Sequence, residues 1–216
     1  MKISMQYKCI FLSTLMIVTG LISGCSQTGF NNEKVVYQDN FTNPDSGWFV
    51  YKADADKGGK YDNGAYSVWA NSPSTVIVLN PNTRQAPGNF ALEVDVKKTS
   101  AEKGALLGIV YRLDNSGHYY RFAISDNQTY SLGSGTTGIE EQIKPDEHSD
   151  SIKPANEINH LKLVCKGQIH ELYINGASLA TVTDNASLNG EIGMVFSNWA
   201  TTANYSFTNF KLSKID

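Results

Sequence analysis

Apolar and polar residues alternate along almost the whole chain from Val35 onward, and this period of two residues is the strongest constraint on the fold. Between Phe90 and Lys97, the even-numbered residues are large and apolar, whereas three of the four odd-numbered residues are charged. Successive side chains of a strand point to opposite faces, so this run predicts a strand with one buried and one solvated face. No stretch shows a convincing helical period. We therefore expect an all-β protein.

Short turn-forming sequences separate the predicted strands. Asn175-Gly176 is the strongest two-residue hairpin signal in the chain, and Lys166-Gly167 predicts a second hairpin. In the last strand the apolar parity shifts, which predicts a β-bulge near Asn209. About ten to thirteen strands are too many for a single open sheet, so the pattern predicts a sandwich of two antiparallel sheets.

Two segments carry a different pattern. Val76–Leu79 is apolar on both faces, which predicts a central strand that is covered on both sides. The segment from Gly133 to Glu157 is rich in Gly, Ser, Thr and acidic residues. We expect it to be an exposed excursion, either disordered or capping one rim of the sandwich where it would shape a ligand site.

The first 24 residues resemble a bacterial lipoprotein signal peptide. Lys2 and Lys8 supply a positive segment before an apolar stretch, Cys9 to Thr19. The lipobox-like tetrapeptide Ile22-Ser23-Gly24-Cys25 follows it. The stretch is interrupted by polar residues, whereas a spanning helix needs about 20 consecutive apolar ones. The resemblance implies that the chain is cut before Cys25 and that its thiol carries lipid. An uncleaved anchor and an ordinary secretory signal are the alternatives.

The residues after the cysteine predict a membrane tether followed by one domain. Residues 25–34 are polar and lack apolar periodicity, which is typical of a flexible linker, and residues 35–216 have the length of one all-β domain. Two or three acyl chains hold a protein stably on a bilayer. We therefore expect an extracytoplasmic domain anchored by Cys25 to the outside of a bacterial membrane.

Charge and cysteine content exclude several classes of protein. Loss of Lys2 and Lys8 leaves 16 basic residues against 21 acidic ones, without a basic cluster, which argues against a nucleic-acid partner. Of the three cysteines, only Cys165 remains in the domain with a free thiol. It shares strand parity with Leu161 and Leu163, so we expect a buried core thiol and not a nucleophile.

A series of short motifs carries a resemblance to a known superfamily. The motifs are Asp39-Asn40-Phe41, Ser46-Gly47-Trp48, Gly64-Ala65-Tyr66, Phe90-x-Leu92-x-Val94-x-Val96, Gly108-Ile109-Val110-Tyr111-Arg112, Tyr119-Tyr120-x-Phe122, Leu172-Tyr173-Ile174-Asn175-Gly176 and Gly190-x-Ile192-Gly193. Together they resemble the concanavalin A-like or laminin G-like jelly rolls, and among these the bacterial modules grouped with the 3-keto-disaccharide hydrolase domain. The resemblance implies a jelly-roll β-sandwich, and its motifs specify fold far more than activity.

Enzymes of the laminarinase and lichenase type share this architecture and place carboxylates on one strand as Glu-x-Asp-x-x-Glu or Glu-x-Asp-x-Glu. This chain has Glu93 and Asp95, but Lys97 and Lys98 stand where the second glutamate would be. A retaining mechanism needs a second carboxyl about 5–5.5 Å away, and a lysine with a pKa of about 10.4 is a poor proton donor. We therefore expect no catalytic residue and a solvated, cross-strand-paired face. A hydrolase of the 3-keto-disaccharide type remains the enzymatic alternative.

We expect no cofactor. The four histidines lack the spacing of metal ligands. Calcium binding remains an alternative, because Asp54, Asp56 and Asp114 supply some oxygen ligands. Their neighbours do not complete the coordination shell.

Binding is the favoured function, with a glycan as the expected partner. The candidate ligand-binding residues are Arg112, Tyr119, Arg121 and Trp199, because rings stack on sugars and guanidinium groups fix hydroxyls. Parity places Arg112 on the same face as Gly108, and a hairpin would bring it near Tyr119 and Arg121. We expect Trp48 and Trp69 to pack in the core. Recognition of an envelope protein is the alternative that involves no sugar.

Overall fold

A computed structural model describes residues 33–50, 56–82, 85–99, 104–136, 139–184, 189–199 and 202–216. The described residues belong to one compact unit. The signal peptide, Cys25 and the tether up to residue 32 lie outside the described residues, so the predictions made for them stay predictions. In the part of the chain that is described, no helix has the length and the apolar character needed to cross a bilayer.

The described residues fold into strands without a helix. The strands are β1 (Glu33–Asp39), β2 (Lys57–Asp62), β3 (Ala65–Ala70), β4 (Ser74–Leu79), β5 (Phe90–Lys98), β6 (Ala105–Leu113), β7 (Tyr119–Ser125), β8 (Thr129–Thr136), β9 (Ile139–His148), β10 (Asn159–Lys166), β11 (Ile169–Ile174), β12 (Ala177–Thr183), β13 (Glu191–Asn198) and β14 (Ala203–Ile215). The first strand begins two residues before the predicted Val35.

The strands form two antiparallel sheets, which confirms the predicted sandwich. The larger sheet, called sheet A, has the order β12-β11-β10-β5-β14-β3-β2, and β1 pairs with the second half of β14. Sheet B has the order β4-β13-β6-β7-β8-β9. The predicted bulge is confirmed, because the register between β5 and β14 shifts between Thr208 and Lys211, and Asn209 has a left-handed φ of 52°.

The core lies between the two sheets and follows the period of two. Phe90, Leu92, Val94 and Val96 point inward from β5 and are buried. Full burial of such a side chain contributes about 1.5–3 kcal/mol, so the alternating strands supply most of the driving force. Cys165 is a buried free thiol in this core, as expected.

The turn between β11 and β12 confirms the strongest hairpin signal. Asn175 and Gly176 both have positive φ, 50° and 83°, which is the conformation of a type I′ turn. The twist of this turn matches that of the flanking strands, so it fixes their pairing.

One expectation was wrong, and another was correct only in part. Val76–Leu79 belongs to β4, which lies at an edge of sheet B and is not central. The segment from Gly133 to Glu157 is an excursion only after residue 148, because its first part completes β8 and forms the whole of β9, whose side chains are mostly exposed as expected. Strand β9 is an edge strand whose side chains are mostly exposed, so it has no apolar alternation that could reveal it.

Candidate functional site

Three of the four predicted ligand-binding residues line one depression on the outer face of sheet B. Tyr119 and Arg121 lie on β7, and Trp199 directly follows β13. The depression has a volume of about 420 Å³, and its wall includes Ile139 and Glu140 of β9. These last two residues were not predicted, because their strand is mostly exposed and its sequence favoured an excursion.

The alternation of β7 places the two polar residues on this surface. Tyr120 and Phe122 point into the core and are fully buried, so Tyr119 and Arg121 must point outward. Tyr119 also packs against Val110 and Val195, which form a small apolar cluster on the same outer face. The lining of the depression itself combines apolar side chains, such as Ile77 and Leu106, with polar ones.

A carboxylate and a guanidinium pair inside the depression. Glu140 accepts a hydrogen bond of 3.0 Å from Nε of Arg121 and a second one from Nη2. The hydroxyl of Tyr119 donates to the same carboxylate over 3.3 Å. The Arg121 side chain is only 6% exposed, and its Nη1 is buried without a hydrogen-bond partner among the described residues. The double hydrogen bond fixes the plane of the guanidinium group.

Glu140 reaches Arg121 by lying across β8. Gly133 on β8 stands directly opposite Arg121, and a Cβ atom at this position would collide with the carboxylate of Glu140. The glycine therefore provides the space in which the two charges meet. The alternation Gly133-Ser134-Gly135 beside an acidic segment is the sequence signal that could have revealed this arrangement.

Trp199 is a large exposed ring held by an ordered backbone. Its side chain is 60% exposed, and its amide donates a 2.7 Å hydrogen bond to the carbonyl of Gly104. The preceding Asn198 is buried and donates from Nδ2 to the carbonyls of Ala70 and Ser72, at 3.2 and 3.3 Å. Trp199 also borders a second depression of about 230 Å³, whose wall includes Asp126.

Arg112 does not share this surface, contrary to the parity prediction. Tyr111 and Arg112 together stand opposite Ile192 alone, and Arg112 has a φ of 54°. This bulge reverses the parity, so Arg112 is fully buried. Its Nη2 donates to the carbonyl of Gly167 over 2.6 Å, and the guanidinium lies 5.8 Å from the centre of the Phe90 ring. Arg112 therefore has a structural role inside the sandwich.

A buried polar cluster next to Arg112 contains groups of altered pKa. Burial and the nearby Arg112 lower the pKa of His170 to about 4, and Nδ1 of this histidine lies 2.7 Å from the hydroxyl of Tyr111. Burial raises the pKa of the Cys165 thiol to about 12. At neutral pH the histidine is uncharged and the thiol protonated, so Cys165 lacks the thiolate that nucleophilic chemistry requires.

The two carboxylates that suggested a glycosidase motif lie on the opposite face of the sandwich. Asp95 and Glu93 point outward from sheet A, where His160 lies between them, with Nδ1 2.6 Å from Asp95 and Nε2 3.2 Å from Glu93. Lys211 adds a 2.8 Å ion pair with Glu93. The predicted cross-strand pairing of this face is confirmed, but the face is not fully solvated as expected, because Glu93 is buried. Lys98 instead points inward and is buried.

The predictions about metals concern residues that are only partly described. Asp54 lies outside the described residues, and the carboxylate of Asp114 accepts hydrogen bonds from the amides of Ser116 and His118 at 2.9 and 3.1 Å. Within the described ranges, no group of three or more His, Cys, Asp or Glu side chains is arranged to hold a metal ion.

Comparison with known proteins identifies the fold alone. The chain matches no model of a protein family and no curated protein sequence. Its structure is similar to the carbohydrate-binding module CBM66 from Bacillus subtilis, with a TM-score of 0.64 and 14% identity over 78% of this chain and 96% of that one. It also resembles the catalytic domain of an endo-1,3-β-glucanase (laminarinase) from Thermotoga petrophila, with a TM-score of 0.62 and 9% identity over 86% and 99% of the two chains.

A third similar structure is a Bacillus subtilis protein of unknown function with a galectin-like fold, with a TM-score of 0.61 and 13% identity over 85% of this chain and 100% of that one. The resemblance to the 3-keto-disaccharide hydrolase domain is not among these findings and stays a prediction. The chain thus has the fold of a jelly-roll sandwich of two antiparallel sheets, which confirms the predicted jelly-roll architecture.

Proposed function

We propose that residues 35–216 form a non-catalytic glycan-binding module, held outside a bacterial membrane by lipid on Cys25, with its ligand in the depression beside Trp199. The convergence of Tyr119, Arg121 and Trp199 with Glu140 carries this proposal. The C–H face of a sugar ring is apolar and stacks on an indole, while a few fixed polar groups select among hydroxyls.

The similar structures support a glycan as the ligand class. A carbohydrate-binding module and a laminarinase share the fold, and a further similar structure is an endo-β-galactosidase from Clostridium perfringens, with a TM-score of 0.63 and 10% identity over 86% of this chain and 64% of that one. At such low identity the ligand cannot be transferred from any one of them, so the site itself has to be tested.

The content of the depression favours binding over hydrolysis. Of its described lining residues, Glu140 is the one carboxylate, and Arg121 holds it in an ion pair. Glycoside hydrolysis by the usual route needs two carboxyl groups that flank the scissile bond. Glu140 is better suited to accept hydrogen bonds from sugar hydroxyls at the edge of the ion pair.

The test is a glycan array and a polysaccharide pull-down with residues 31–216. We expect saturable binding that weakens at least tenfold, or about 1.4 kcal/mol, in Trp199→Ala. Phe49→Ala is the matched control, because Phe49 is 62% exposed and does not line the depression, against 60% for Trp199. Circular dichroism checks that both variants fold.

The outcomes separate the alternatives. A well-folded domain that binds no sugar would contradict the proposal and favour an envelope protein as the partner. Release of reducing ends from a bound polysaccharide would show that the module is a hydrolase. Equal losses in Trp199→Ala and Phe49→Ala would place the ligand elsewhere.

A further inference from the structure

Trp69 lies on the outer face of sheet A and not in the core, contrary to the expectation from sequence. In β3, Tyr66, Val68 and Ala70 point inward and are buried, so Trp69 points outward and is half-buried. This face is the one opposite to the Trp199 depression. The ring therefore needs an explanation other than core packing.

The Trp69 ring lies over the neighbouring edge strand. Gly58 of β2 stands directly opposite Trp69, and a Cβ atom there would collide with three atoms of the indole, Cζ2, Cη2 and Cε2. These ring atoms thus cover the backbone of Gly58, a known way in which an aromatic residue stabilises a glycine in a sheet. The Trp69 side chain is half-buried and also lines a surface depression.

Side chains that can form hydrogen bonds lie beside Trp69 on the adjacent strand. Asn204 of β14 stands opposite Trp69, and Ser206 stands opposite Ser67 in the adjacent row. Together with Thr99 and Trp69 they line a depression of about 400 Å³. The side chains of Ser67, Asn204 and Ser206 make no hydrogen bond to other described residues, so their polar groups are available to a ligand.

The two charged residues that line this depression balance each other. Lys60 and Asp62 of β2 lie at the rim, where Nζ of the lysine is 3.4 Å from the aspartate Oδ2. Each of these two charges offsets the other. Lys97 stands opposite Ser206 but does not line the depression. Neutral amide and hydroxyl groups are left to make the specific contacts.

We propose that Trp69, Asn204 and Ser206 form a second carbohydrate site, which stacks one neutral pyranose unit on the exposed part of the indole. The site stands on its own geometry and not on the depression at Trp199. Trp69 then covers Gly58 and also contacts the sugar. Two sites on opposite faces would let one domain engage two segments or chains of a polysaccharide and gain avidity without any new contact.

The test uses the three tryptophan side chains as separate reporters. Residues 31–216 labelled with ¹⁵N give one indole N–H resonance for each of Trp48, Trp69 and Trp199, assigned by the variants Trp69→Phe and Trp199→Ala. The probes are neutral hexasaccharides of β-1,3-glucan and β-1,4-galactan. We expect the Trp69 resonance to shift saturably, also in Trp199→Ala, while Trp48 stays unmoved because its indole is buried and bonded to Asp39.

Substitutions that leave the ring in place separate a ligand site from a structural role. We expect Asn204→Ala and Ser206→Ala to weaken binding at Trp69 at least threefold. Thr208→Ala is the control, because Thr208 lies on the same strand and face but outside the depression. Unchanged affinity in both test variants would overturn the proposed contacts.

The two proposals fail in different ways. If Trp199 shifts and Trp69 does not, the second site is overturned, Trp69 only covers Gly58, and the proposed function stands. If Trp69 alone shifts, the second site stands and the depression at Trp199 is not the ligand site. If neither resonance shifts with either hexasaccharide, both proposals are overturned.

Discussion

The charge of His160 depends on two neighbouring carboxylates. Hydrogen bonds to Asp95 and then Glu93 raise its pKa to about 9, although burial works in the opposite direction. Burial alone would raise the pKa of Glu93, but hydrogen bonds from His160 and Lys211 outweigh it and lower the pKa to about 2. At neutral pH a cationic His160 is therefore paired with two carboxylates, and Lys211 and Lys162 also pair with Glu93.

This cluster predicts that stability falls at alkaline pH. The pKa of an unfolded histidine is about 6.5, so the stability contributed by His160 is fully present below that pH and is lost as pH rises through about 9. We expect the melting temperature to fall by a few degrees more between pH 7 and 10 in the unmodified domain than in His160→Gln. The effect is modest, because the side chain is 40% exposed and solvent screens the pair.

Differential scanning calorimetry across this pH range provides the measurement. Lysines and tyrosines titrate in the same range, and comparison with His160→Gln removes their contribution. Parallel pH profiles for the two proteins would show that the ion pairs of His160 add nothing to stability.

The strands β7, β8 and β9 act as one unit in the candidate site. Arg121 comes from β7 and Glu140 from β9, and they meet only because β8 offers a glycine between them. Strands β7 and β9 each carry one member of the ion pair. The geometry of the site thus depends on the pairing register of three strands, in which Gly133 stands opposite Arg121.

Gly133→Ala tests this dependence. The new methyl group displaces Glu140 from Arg121, and we expect the free energy of unfolding to fall by about 1–3 kcal/mol, as for other overpacked sites. Sugar binding at Trp199 should weaken as well. Gly88→Ala is the matched control, since a Cβ atom there meets nothing within 4 Å.

Urea denaturation of both variants measures the free energy of unfolding, and glycan titration measures their affinity for sugar. If Gly133→Ala behaves like Gly88→Ala in both measurements, Glu140 has room to bind Arg121 by another path, and the glycine is not required.

For the whole molecule, a buried ion pair joins the two sheets. Lys98 ends β5 of sheet A, and Asp126 follows β7 of sheet B, with Nζ and Oδ2 2.7 Å apart. Their side chains are only 6% and 10% exposed, and the same carboxylate oxygen accepts a 3.0 Å hydrogen bond from the amide of Ala105. The pair therefore closes one end of the sandwich.

Breaking this pair should destabilise the entire domain. We expect Lys98→Met and Asp126→Asn each to lower the free energy of unfolding by about 3–5 kcal/mol, because each leaves one buried charge without its partner. The double variant should lose less than the sum. A double-mutant cycle in urea measures the coupling, and additive losses would show that the two groups do not interact.

Much of the fold was predictable because the sequence signals for strands, turns and bulges lie within short stretches of the chain. The alternation of β5, the type I′ turn at Asn175-Gly176 and the bulge at Asn209 depend on residues within a few positions of one another. Strand β9 was not predicted, because the side chains of an exposed edge strand need not alternate between apolar and polar. In the candidate site, Tyr119 and Arg121 followed from parity in β7, whereas Glu140 did not.

Sequence by itself determined that this chain is an all-β sandwich with a core on one face of each alternating strand, since the burial of every second side chain is a local rule. Tertiary structure alone decided which surfaces the polar and aromatic residues share. It turned Arg112 inward through a bulge opposite Ile192 and laid Trp69 over Gly58. These placements arise from pairing between strands far apart in sequence, where backbone conformation and the space above a glycine outweigh the parity of any single strand.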